Sequence, residues 1–244
     1  MRTLLARVLE ILRPPWRGRA RRARQPDYKA AWNEAALNGA EDAVLTGATA
    51  DHFEFAGQKD AQFVGRYLGD GDEVLNIGCG VGRVDRYVAP KVRELWAVDV
   101  SGEMILRARE RLAAFPNVHL REVGNREFLG AFEANRFDLV FSFLVLQHLE
   151  KEDAFLYLRE ALRVLRPGGV FVTQFPNFLA PVYAKAFAEA ADVDLRSPAR
   201  VRPSTEAEVR QTLALAGFEL TELWLGGHEE RAAEIYVVAR KPRA

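Results

Sequence analysis

Short apolar runs alternate with amphipathic stretches along this chain from Gly71 onward. The runs predict strands at about 73–78, 94–99, 118–122, 137–143 and 168–175, and the stretches between them predict helices near 82–89, 102–114 and 151–165. Residues 124–136 fit neither pattern. Continuous apolar runs such as FDLVFSFLVL and GGVFVTQF suit strands covered on both faces, which is the condition of a parallel sheet. Strands and helices in alternation then predict an α/β fold built on a doubly wound sheet.

The C-terminal pattern is different. TEAEVRQTLALAGF has Thr205 and Glu208 in capping-box register and Gly217 at its end, which predicts a helix of about three turns. FELTELWL and AEIYVVAR read as two strands joined by GGHEERA, a connection short enough for an antiparallel pair. The expected sheet therefore has about seven strands, mostly parallel, with an antiparallel C-terminal edge strand.

Three regions follow from the same pattern: a basic amphipathic N-terminal segment at 1–25, a helical cap at 26–70 and a main domain at 71–244. The cap carries Trp32, Phe53 and Phe55, aromatic residues suited to closing a site from the N-terminal side. Within the main domain, residues 176–203 exceed an ordinary loop and hold Phe178, Tyr183 and Phe187. A helical lid over a binding site is one reading of this insertion, and a surface helix with an ordinary apolar face is the other.

Composition narrows the partners. Lys+Arg and Asp+Glu both number 34, so the whole chain offers no electrostatic case for nucleic acid. Residues 1–25 depart from that balance, with eight arginines against Glu10 alone. An apolar helix face beside clustered arginines suits peripheral contact with an anionic membrane, while a packed helix and a solvated linker fit the same residues. LLARVLEIL is too short to span a bilayer and is broken by Arg7 and Glu10, and no signal-peptide cleavage pattern follows it. The single cysteine, Cys79, excludes an intramolecular disulfide and a thiolate metal site, and a cytoplasmic location is the simple expectation.

The chemistry concentrates in VLNIGCGVGR, where Gly78, Gly80 and Gly82 follow the first predicted strand. Glycines there permit positive φ and close approach of a ligand to the backbone. The dinucleotide fingerprint wants a glycine where this chain has Arg83, and no Gly-Lys-Ser/Thr follows for a phosphate loop. The second strand ends in Asp99, 21 residues after Gly78, an acid placed to accept both ribose hydroxyls. A nucleoside without a pyrophosphate is therefore expected, with Ser101 rather than Asp99 as the next helix cap.

Taken in order, VLNIGCGVG, VDVSGEM, VGN, FDLVFSFLVLQHL and LRPGGVFV resemble the five motifs of the class I S-adenosylmethionine-dependent methyltransferases, in their small-molecule branch, over roughly residues 57–240. The resemblance implies a Rossmann-like fold, S-adenosyl-L-methionine as cofactor, S-adenosyl-L-homocysteine as product and no metal. It places the backbone of Gly78, Cys79, Gly80 and Gly82 against the methionyl part, Asp99 and Val100 at the ribose and Met104 on the adenine face. Asn125 would bond the adenine edge, Ser142 or Phe143 would line the wall near the sulfonium, and Arg126 and Gln147 would be neighbours. Two positions depart from the family pattern: Asn76 and Asn125 stand where acids are usual, which removes negative charge near a cationic cofactor while keeping hydrogen-bonding capacity.

His148, after the fourth strand, and His228, in the GGHEE connection, are the candidate general bases. The resemblance implies methyl transfer by in-line displacement to an O or N nucleophile of a small-molecule or glycan-like acceptor. A non-catalytic cofactor-binding or partner-binding module on the same fold, and a macromolecular or lipid-linked acceptor, remain open. The sequence leaves the oligomeric state undetermined.

Overall fold

A computed structural model describes residues 26–124, 130, 132–192, 200–226 and 233–243. Among the described residues two helices come first, α1 (Tyr28–Val44) and α2 (Ala50–Gly65), within the stretch expected as a helical cap. Asp27 caps α1 by accepting from the Ala30 amide, and α1 breaks at Gly39, whose φ of 148° is not helical. Then follow β1 (Glu73–Ile77), α3 (Asp85–Val88), β2 (Glu94–Asp99), α4 (Gly102–Arg111), β3 (Val118–Glu122) and β4 (Phe137–Ser142). The chain continues through α5 (Lys151–Val164), β5 (Leu165–Pro176), α6 (Pro181–Asp192), α7 (Glu206–Ala216), β6 (Glu219–Leu225) and β7 (Glu234–Arg240).

The seven strands form one sheet in the order β3-β2-β1-β4-β5-β7-β6. β7 is antiparallel to both of its neighbours, as the C-terminal hairpin required, and it inserts between β5 and β6, so β6 is the rim strand. Alternate side chains of each strand feed opposite cores. Leu75, Ile77 and Val140 pack with Leu158 and Ala161 of α5 and Leu213 of α7. Val74, Leu139 and Phe141 pack on the other face with Ala61 and Val64 of α2 and Val88 of α3. The sheet is thus covered on both sides, as its continuous apolar strands demanded.

The first helix after the glycine turn is shorter than the pattern predicted. Gly82 has φ 80° and cannot be helical, so α3 starts only at Asp85. Pro90 lacks an amide hydrogen, and the chain tightens into a 3₁₀ turn at Ala89–Lys91. The cap forecasts hold: Ser101 Oγ accepts from the Met104 amide, Thr205 and Glu208 form the reciprocal box, and Gly217 ends α7 at φ 99°.

Arg83, the residue that broke the dinucleotide fingerprint, is a structural clamp. It is 3% exposed and donates through Nη2 to Oδ2 of the fully buried Asp60 at 2.7 Å, tying the turn to α2. Its guanidinium also lies 5.8 Å from the Phe53 ring centroid. Removing one member of a buried pair leaves the other charge desolvated. Arg83→Met is therefore expected to lower unfolding free energy by about 3–5 kcal/mol in urea denaturation, and a loss below about 1 kcal/mol would rule out this clamp.

Candidate functional site

The strand order reverses between β1 and β4, and a cavity opens there at the carboxyl ends of the strands. Asn76, Ile77 and Gly78 line it from β1 and its turn, and Val98, Asp99 and Val100 from β2. Met104 from α4 and Val123 after β3 continue this wall. Phe143, Leu144 and Val145 after β4 face them, with Leu149 and Tyr157 below and Tyr28, Trp32 and Val44 of α1 above.

The glycine turn is fixed by the neighbouring strand. The amides of Gly78 and Cys79 both donate to the Val98 carbonyl, at 2.8 and 3.0 Å. The Gly80 amide donates to Asp99 Oδ2 at 2.9 Å, and the Ser101 amide donates to Asp99 Oδ1 at 2.9 Å. The Val100 backbone adds a third hydrogen bond, so the Asp99 carboxylate is held by three successive contacts from the backbone around it. A Cβ on Gly78, at φ 76°, would sit 2.2 Å from Val145 Cγ2, so only glycine lets the β4 loop close on the turn.

Asn76 does not stand alone. Its Nδ2 donates to both carboxylate oxygens of Asp85, at 3.0 and 2.9 Å, and both residues are buried. Its Oδ1 is buried in the cavity wall without a hydrogen-bond partner among the described residues. Desolvation pushes the Asp85 carboxyl up to about 7, against the bonds from Asn76 and the nearby positive charge of Arg83. Burial likewise raises the Asp99 carboxyl. Burial first, then the charges of Asp85 and Asp99, push the Cys79 thiol well up, so it stays a neutral wall group.

Opposite the turn, the wall is held by a directed polar chain. Leu144 has φ 59°, a strained position for a branched side chain, and its amide donates to Gln174 Oε1 at 3.0 Å. That fixes the amide orientations down the line: Gln174 Nε2 donates to Gln147 Oε1 at 3.0 Å, and Gln147 Nε2 to His148 Nε2 at 3.1 Å. The His148 ring meets Trp32 edge-on at 4.9 Å. Tyr28 bridges α1 to α5, donating to Asp153 Oδ2 at 2.8 Å and accepting from the Glu150 amide at 2.9 Å. Burial holds the phenols of Tyr28 and Tyr157 protonated well above their ordinary range.

The structure brings Asn76, Gly78, Cys79, Gly80, Asp99, Val100, Met104 and Phe143 together around one cavity. Gly82 completes the turn behind it, against Leu112. Ser142 lies beneath the wall, its Oγ bonded to the Ile77 carbonyl, and neither Gln147 nor His148 lines the cavity. Asn125, Arg126, His228 and the segment 1–25 lie outside the described residues. From the cap, Trp32 lines the cavity, Phe53 packs behind Met104 and Val81, and Phe55 is exposed. The described part of the 176–203 insertion contributes nothing to the wall; α6 instead leaves Val182 and Phe187 exposed. Sequence reasoning missed Asp85, Tyr28, Leu144, Val145 and Tyr157; an acid two positions after Arg83, on an otherwise apolar helix face, was the one available signal.

No helix among the described residues is long and apolar enough to cross a membrane. The family model described as a methyltransferase domain matches residues 74–169. A relative in Mycolicibacterium smegmatis, named "Probable S-adenosylmethionine-dependent methyltransferase", is 33% identical over 62% of this chain and 54% of its own. A demethylmenaquinone methyltransferase of Tropheryma whipplei is 33% identical over 46% of this chain and 47% of its own. The chain thus spans about half the length of these curated relatives. In fold it is similar to magnesium protoporphyrin IX methyltransferase of Synechocystis, solved with bound S-adenosylhomocysteine, at TM-score 0.66 and 17% identity, over 88% of this chain and 98% of that one. The methyltransferase-domain match runs from β1 into β5, and over that stretch the chain is similar to the class I S-adenosylmethionine-dependent methyltransferases.

Proposed function

We propose that this chain transfers a methyl group from S-adenosylmethionine to an O or N nucleophile of a small acceptor with an apolar body. The observation that carries the reading is the cavity at the β1/β4 reversal, with the glycine turn and Asp99 at one end and an aromatic and aliphatic wall at the other. The residues present fit the cofactor. Asp99 at the tip of β2 suits a ribose diol, Met104 offers a soft apolar face to an adenine, and the Asn76 Oδ1 awaits a donor. Bound there, the sulfonium would supply an already electrophilic methyl group.

This chain's own contribution is alignment and exclusion of water. Val145 and Leu144 press toward the turn, Trp32 and Tyr28 close the top, and the strained Leu144 is held by the glutamine chain. The apolar lining suits an acceptor with a flat or aliphatic body better than a polyhydroxyl glycan. Tyr28 and Tyr157 are held protonated and do not serve as bases. His148 already accepts through Nε2 and stands behind Trp32, which makes it a positioning residue.

Titration calorimetry is expected to give saturable binding of S-adenosylmethionine and S-adenosylhomocysteine, and absence of binding at about millimolar ligand would overturn the reading. Asp99→Ala should weaken both by about 10–100-fold, the loss of hydrogen bonds to a charged group. Transfer of label to some member of an acceptor panel distinguishes an enzyme from a binding module. With such an acceptor, His148→Gln should keep transfer within about tenfold of the parent; a fall of about 100-fold at unchanged cofactor affinity would restore His148 as the base.

A further inference from the structure

The buried pair at the end of β1 has no role yet in that scheme. Asn76 presents an unpartnered carbonyl oxygen to the cavity, while its amide nitrogen is locked onto a buried carboxylate on α3. A carboxylate bound to the N–H end of an amide polarises its oxygen and makes it a stronger acceptor. We propose that Asp85 is a positioning residue for the cofactor: through Asn76 it supplies the negative charge that holds the α-ammonium group of the amino-acid end. The inference rests on the reading of the cavity as an S-adenosylmethionine site.

The geometry explains the departure at position 76. An aspartate there would face Asp85 across hydrogen-bonding distance, two buried carboxylates with no cation between them. Asparagine resolves the conflict by donating to Asp85 and offering its oxygen to the ligand. The charge is present in the fold, one side chain further from the cavity than the family's usual acid. Around Asp85 stand Asn76 from β1, Arg83 and Cys79 from the turn and Asp99 from β2. Arg83 is already engaged with Asp60, so the site keeps net negative character for a cationic ligand.

Asp85→Asn keeps the shape and a hydrogen-bonding partner for Asn76 and removes only the charge. Two probes separate a charge role from a structural one. S-adenosylhomocysteine carries the amino-acid end, and 5′-methylthioadenosine is the same nucleoside thioether without it. The variant is expected to bind the first about tenfold more weakly and the second within about twofold of the parent, with no fall in the melting temperature of the free protein. Parent affinity for S-adenosylhomocysteine should also rise between about pH 6 and pH 8, as Asp85 ionises near 7, more steeply than in the variant. Asp99 titrates in both proteins, so the difference between the two profiles isolates Asp85.

Equal losses for both probes, or no loss for either, would overturn the proposal. If Asp85→Asn does not fold, the exchanged pair Asn76→Asp with Asp85→Asn decides. Affinity for S-adenosylhomocysteine at or above the parent supports the charge role, and its loss with 5′-methylthioadenosine binding intact overturns it. A parent protein that binds neither probe would instead overturn the cofactor reading.

Discussion

The fold and its site depend on one backbone constraint, the turn that carries the chain out of β1 through three glycines at positive φ. Two successive amides, of Gly78 and Cys79, converge on the single carbonyl of Val98, so β1 ends against β2 and not beside it. This arrangement is open only to residues that tolerate positive φ and carry no Cβ into Val145 or Leu112. The same turn orients the Gly80 amide toward Asp99, starts α3 late at Asp85 and directs Arg83 down to Asp60. Sheet edge, clamp and cavity wall are therefore consequences of one local conformation.

That conformation concentrates acids. Asp60, Asp85 and Asp99 all lie within the shell around the turn, and Arg83 bonds to Asp60. Burial raises the Asp85 carboxyl from 3.8 to about 7, so the folded protein binds a proton there more tightly than the unfolded chain. The sign follows from linkage: this group favours folding most below the ordinary carboxylate range, and that contribution is lost as pH rises through about 7. A fold that keeps such a group at neutral pH carries a desolvation cost, which a cation bound beside it would offset. The electrostatics and the expected charge of the ligand thus agree without either being derived from the other.

The local parts of this design were legible in the sequence. Period and continuity of the apolar runs place the parallel strands, because strands buried on both faces cannot alternate. Ser101, Thr205 with Glu208, and Gly217 mark helix ends because capping is a property of neighbouring residues. Asp99 could be read because the βα unit fixes its distance from Gly78. The Asn76–Asp85 bond spans only nine residues yet stayed hidden, since a helical expectation from residue 82 assigned no special direction to Asp85. The late helix start at Gly82 is what turns Asp85 toward β1. His148 shows the converse: its position after β4 suggested a base, and only Gln174, distant in sequence, reveals that its lone pair is taken.

The two ends of the cavity are also built by different kinds of contact. The glycine-turn end comes from strand termini whose spacing the parallel register enforces, with Asn76 opposite Ala97 and Phe141. The α1 side is joined to α5 across 125 residues, through Tyr28 and Asp153, and to the start of α4 across 68 residues, between Asn33 and Ser101. Such closures lie outside the register that fixes the sheet, so the side chains of α1 facing the cavity can vary while the turn cannot. The insertion after β5 admitted two readings, a lid or a surface helix, and its described helix α6 bonds through Tyr183 to Glu234 of β7. Tyr28 and Trp32 of α1 are instead the side chains that meet the apolar wall above the glycine turn.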